Sequence, residues 1–181
     1  MRSATTDRRR RIAARPATAA LLAAGALVPA FAHAAASPPP PAAVCTNSFT
    51  VSVTPGFTIT PGAGRLSSNG QTGSLECFGT LGGQRITGPG TVGFVERHRS
   101  GTCRGHTGTG RVHLVIPTSA GDKHLYGALA VRRTGLTVRA KVRFPGMRYS
   151  GNGVIFPRKG DCTSTPLEQI RVTMTGTLSE T

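Results

Sequence analysis

The chain has no tryptophan, only two tyrosines and seven phenylalanines in 181 residues. A stacking platform for single-stranded nucleic acid therefore has few rings to draw on. Acidic residues are almost as scarce, seven against 22 Lys and Arg, for a formal net charge of +15. Such an excess attracts anionic surfaces and says nothing of fold. There is no Cys-x-x-Cys among the four cysteines, which removes the usual zinc and redox spacings, so neither metal nor cofactor is expected. No Gly-x-Ser-x-Gly elbow and no phosphate-binding glycine loop occurs, and with them go the common hydrolase and nucleotide-binding signatures. Beyond the N-terminus no stretch repeats its apolar residues at helical spacing.

What is there begins with an export pattern. Arg2, Arg8, Arg9, Arg10, Arg11 and Arg15 precede an apolar run over residues 17–31, and Ala32-His33-Ala34 has the small-x-small form of a cleavage site. The run is too short and alanine-rich for a membrane span of roughly 20 apolar residues. Residues 1–34 are thus expected to be a signal peptide and the protein to be secreted without a transmembrane anchor. Arg10-Arg11 leads into Ile12-Ala13-Ala14 and not a fuller twin-arginine motif, which favours the general secretory route. Removal leaves 16 basic and 6 acidic residues, near +10. Residues 35–43, with Pro38-Pro39-Pro40-Pro41, read as an extended tether, and residues 44–181 as one domain.

The clearest pattern in that domain is Leu136-Thr137-Val138-Arg139-Ala140-Lys141-Val142-Arg143-Phe144, where apolar and polar residues alternate strictly. Side chains on a strand point to opposite faces in turn, so this is a strand with a dry face and a basic face. Seven further strands are expected, around residues 49–53, 75–81, 91–99, 106–116, 123–132, 148–156 and 169–178. Residues 54–71, rich in Gly, Pro, Ser and Thr, form a long loop or hide a short strand near 57–60. About eight strands joined by short turns predict an all-β antiparallel sandwich or up-and-down barrel, and glycines such as Gly93, Gly127, Gly151 and Gly153 favour the stronger curvature of the barrel. In an oxidising compartment Cys45, Cys77, Cys103 and Cys162 are expected to staple it. If strands alternate up and down, Cys45 and Cys77 share one end and Cys103 and Cys162 the other, which favours those pairs among three connectivities; a hidden strand in residues 54–71 reverses the parity.

The chain resembles a diffuse group of secreted actinobacterial β proteins with no assigned activity. The resemblance is carried by the Arg/Ala-rich signal, Cys77-Phe78-Gly79-Thr80-Leu81, Ser100-Gly101-Thr102-Cys103, Asp161-Cys162 before Pro166, and Thr175-Gly176-Thr177-Leu178. It implies an exported β protein and nothing about chemistry.

Among residues that carry chemistry, Glu96 and His98 share a strand face with Val92 and Phe94, which places an acid and a base at the end of the core. The competing expectation, preferred here, is that the strand is leaving the core and both are solvated. His106, His113 and His124 match no ligand spacing and are expected to face solvent. Asp122 and Asp161 follow glycines in turns, where aspartate bonds its own backbone. The stronger lead is Arg139, Lys141 and Arg143 as an anion-binding stripe, with Arg132, Arg133, Arg148, Arg158 and Lys159 nearby, and Tyr126 and Tyr149 as scarce stacking rings. The expected function is therefore non-enzymatic: electrostatic association with an anionic cell-envelope component, with cell-wall polymer and nucleic acid as the candidate anionic partners. The alternatives are a barrel holding a small apolar ligand and a hydrolase using Glu96 and His98.

Overall fold

The computed structural model describes residues 43–68 and 72–181, and the expected signal peptide and nearly all of the expected tether lie outside them. Every regular element is a strand: β1 (Ala43–Phe57), β2 (Gly62–Ser67), β3 (Gly73–Leu81), β4 (Gln84–Arg85), β5 (Gly90–Gly101), β6 (Gly105–Thr118), β7 (Gly121–Thr134), β8 (Thr137–Phe144), β9 (Met147–Lys159) and β10 (Leu167–Glu180). The expected tether ends one residue early, because Ala43 already pairs with Leu178. All pairings are antiparallel, and they return to their start. The chain meanders from β5 to β10, β10 pairs with β1, and β1 reaches β5 through β2 and β3. A sheet closed on itself in this way is a barrel-like ring, with β4 hydrogen-bonded only to β3.

With β4 outside the ring, nine strands fill eight ring positions because β2 and β3 share one. Residues 62–67 pair with the C-terminal half of β1 and with β5, and residues 73–79 pair with its N-terminal half and again with β5. The uncertain stretch does hide a strand, at Gly62–Ser67 and not at 57–60. That strand runs the same way as β3, so the parity of the later strands is untouched.

Burial follows the two-residue rhythm. β8 alternates exposed and buried without exception, and its inward Val138, Ala140, Val142 and Phe144 join a core with Val51, Leu75, Ile116, Ile155, Ile170 and Leu178. Pro145-Gly146 turns β8 into β9 with Gly146 at φ 68°, a region that glycine enters without a Cβ clash.

The disulfides tie opposite ends of the ring. Cys45 and Cys77 are direct cross-strand partners on β1 and β3, with Cα atoms 4.0 Å apart. Cys103, in the β5–β6 turn, bridges to Cys162 in the loop before β10. In that loop the Asp161 carboxylate accepts N–H bonds from Thr163, Ser164 and Thr165 and the Ser164 hydroxyl, so its pKa lies well below the ordinary carboxylate value, the Thr165 N–H contributing most. This is the local role expected of an aspartate after a turn glycine.

Candidate functional site

Two sets of charged residues are organised by the ring, one inside it and one outside. The inner set lies at the Cys103–Cys162 end. Glu96 on β5 is 2% exposed, His98 6%, His106 on β6 6% and Arg133 on β7 3%. The expectation that Glu96 and His98 leave the core, and that His106 and Arg133 sit on the surface, is overturned. Each keeps the inward parity of its strand to the last turn: Val92 and Glu96 in β5, Leu114 and His106 in β6, Leu129 and Arg133 in β7. His113 is half-buried and His124 exposed on the outer face.

Burying charge is costly unless it is paired and hydrogen-bonded, and here the pairing runs through an imidazole. His106 Nε2 lies 2.8 Å from Glu96 Oε1, and Arg133 Nε donates to His106 Nδ1 at 3.1 Å. A guanidinium only donates, so Nδ1 must hold its lone pair and Nε2 the proton given to the carboxylate. His106 is thereby held as a neutral relay between a carboxylate and a guanidinium. Arg133 Nη1 donates to the carbonyls of Cys103 and Gly135, each at 3.0 Å, its Nη2 donates to that of Thr102, and its guanidinium carbon lies 4.7 Å over the Phe57 ring. Burial lowers the Arg133 pKa, opposed by Glu96. His98 packs against Phe57 and His106 with ring centroids 5.1 and 5.3 Å apart, and neither of its nitrogens has a partner in hydrogen-bond geometry. Burial is the main cause that depresses its pKa, with the Arg133 charge acting the same way, against the opposing pull of Glu96 and the Gly62 main chain.

Glycine makes the room. A Cβ at Gly108 would fall inside the Glu96 carboxylate, and one at Gly64 or Gly101 would come within 2.8 or 2.5 Å of a His98 ring nitrogen. Glu96, His106 and Arg133 border an interior cavity of about 70 Å³ whose other walls are almost wholly apolar. That volume admits a few waters and falls far below the roughly 300 Å³ of a small-molecule pocket. An acid and a base are therefore present, but with a partnered acid and no room for a substrate beside them. Tyr149, expected as a stacking ring, points inward too; Asn47 donates to its hydroxyl at 3.2 Å and burial raises its pKa.

The outer set is the reverse. Arg139, Lys141 and Arg143 project from β8 into solvent, and the register places them among other cations. One row around the outside reads Arg65, Arg97, Thr109, Ala130, Lys141, Ser150; a second reads Val95, Arg111, Ala128, Arg143, Arg148; a third reads Thr107, Arg132, Arg139, Asn152. Three pairs of arginines stand directly opposite each other: Arg65 with Arg97, Arg132 with Arg139, and Arg143 with Arg148. Like charges so placed destabilise a sheet. Among the described residues none of these cations has an acidic partner, the close basic–acidic contacts being the His106–Glu96 hydrogen bond and the Lys159–Glu168 ion pair. No acidic residue falls in the three rows. The Gly110 backbone and the small side chains of Ala128 and Ala130 make the floor of a shallow open groove of about 830 Å³, walled by Arg97, Arg111, Lys141 and Arg143. Arg158 and Lys159 sit apart at the end of β9, Lys159 held by Glu168 at 2.6 Å.

Sequence reading found the β8 stripe, but Arg65, Arg97 and Arg111 join it only through register. The inner cluster had a usable signal, because strand parity alone turns Glu96, His98, His106 and Arg133 inward. Among the described residues no group of His, Cys, Asp and Glu is arranged to hold a metal ion, and no helix is long and apolar enough to cross a membrane. Compared with protein-family models, curated proteins and solved structures, the chain matches none of them.

Proposed function

We propose that this is a secreted, non-enzymatic protein that binds an extended anionic polymer along the outer face of β5–β9. The observation that carries the reading is the set of three directly opposed arginine pairs with no acid among them. Such pairs cost the free protein stability. A local arrangement that works against the fold is expected where a ligand is to be met, and a row of phosphates or sulfates running through the groove supplies the missing counter-charge. The two disulfides accord with an oxidising compartment. The anionic envelope polymer expected from the sequence and a nucleic acid both offer that charge pattern.

Binding of this kind releases counterions and weakens linearly in log salt. Retention on immobilised heparin or purified cell wall should fall steeply between 50 and 200 mM salt, about as phosphate-contacting proteins do. The Arg139→Gln/Lys141→Gln/Arg143→Gln variant should reduce the salt slope by about 3, near 1 for each lost contact. Retention unchanged by those three substitutions overturns the reading.

A further inference from the structure

The outer face carries rings as well as charge. On paired positions of β6 and β7, His113 and Tyr126 stack with centroids 4.2 Å apart and planes within 4°, and His124 lies edge to edge with His113, their centroids 5.5 Å apart. A hydrogen bond between His113 Nε2 and His124 Nδ1, 3.3 Å long, locks the two imidazoles together. Tyr126 is therefore backed on one face by a braced imidazole, and it is 64% exposed. Its free side borders a second depression shared with Arg111, Ala128 and Arg143. Arg111, Ala128 and Arg143 are also walls or floor of the basic groove, so ring and groove are continuous. The step from Tyr126 to Ala128 along the strand is about 7 Å. No guanidinium among the described residues covers the Tyr126 ring, the single such contact being Arg133 on Phe57.

We propose that the ligand of this groove is single-stranded nucleic acid, with one base stacked on Tyr126 and the backbone phosphates running over Arg111, Arg143, Lys141 and Arg97. The proposal rests on the polyanion reading and narrows it. A polymer without flat rings uses the cations and leaves Tyr126 idle, and duplex DNA keeps its base faces covered. The few rings of the sequence are supplemented on this face by His113, which the sheet sets against Tyr126. Specificity for particular bases is not implied, since every base offers a π-face and the site has no buried donors to read an edge.

The absence of tryptophan supplies the probe. With Tyr149 buried, Tyr126 is the exposed intrinsic fluorophore. The purified protein is titrated with a 12-mer of oligothymidylate, with inorganic polyphosphate of matched charge, with heparin and with a DNA duplex, in about 0.1 M salt. Oligothymidylate is expected to quench tyrosine emission and to bind more tightly than polyphosphate. Tyr126→Ala should weaken oligothymidylate about tenfold, within the stacking range per base, leave polyphosphate unchanged, and be rescued by Tyr126→Phe. Equal affinity for oligothymidylate and polyphosphate with no effect of Tyr126→Ala overturns the proposal while leaving the polyanion reading intact, and so does preference for heparin or duplex. Failure of all four polymers to bind, or indifference to the β8 charge substitutions, overturns both.

Discussion

The inside and the outside of one ring treat arginine in opposite ways. Arg133 is sealed at one end of the ring, with a histidine relay to Glu96 and three main-chain carbonyls around its guanidinium. Arg132, the residue before it, stands in solvent opposite Arg139 with no counter-charge. Neighbours in the chain, they differ only in which way the strand turns them. A charge that has lost water must be fully partnered, and its partners become part of the fold. An exposed charge is tolerated beside its like because water screens it, and it stays free to meet something else. On the proposed reading the inner cluster serves stability and the outer rows serve binding, and substitutions should separate the two.

The largest expected effects are on the inner end. Removing the Cys103–Cys162 bridge, which closes a separation of 59 residues, should cost about 4 kcal/mol in urea unfolding, and it also loosens the turn whose Thr102 and Cys103 carbonyls hold Arg133. Glu96→Ala strands the buried guanidinium and should cost about 3 kcal/mol or more. Polyanion affinity, measured well below the unfolding transition, should be unaltered in both. A Glu96→Ala variant as stable as the parent, or one that stops binding while folded, breaks the division.

Smaller effects sharpen it. Stability should fall on acidification below the unfolded histidine value near 6.5, because folding holds the His98 pKa lower and the unfolded chain then binds more protons. The contribution is fully present above that pH and is lost as the pH drops toward the folded value. Thermal melts from pH 7.5 to 5 should show a shallower decline for His98→Gln than for the parent; identical slopes would remove His98 from the account. Smallest of all, Arg132→Gln and Arg148→Gln each relieve a like-charge pair and should raise stability by a few tenths of a kcal/mol while lowering polyanion affinity. A variant both less stable and equally retentive would show the opposed arginines to be incidental.

Much of this molecule was legible beforehand. The alternation at residues 136–144 marks β8, and the same rhythm locates all eight ring positions. Residues 54–71 were not legible, because β2 carries Gly62 and Gly64 and little β-branched character, and it is a strand by virtue of two neighbours. For the inner cluster the parity was readable in Glu96, His98, His106 and Arg133. What was not readable is that three strands and a turn converge to satisfy Glu96, His106 and Arg133 and leave His98 without a partner.

The chain by itself determined a two-faced antiparallel sheet, two stapled cysteine pairs and a cationic stripe on β8, because alternation and residue type are local properties. Closure of the ring decided the rest. Register sets arginines from five strands in opposed pairs and Tyr126 against His113, and the enclosed end converts an acid, an imidazole and a guanidinium from surface groups into a buried relay. Those outcomes depend on which residues lie opposite one another across hydrogen-bonded strands, and burial gives each juxtaposition its sign.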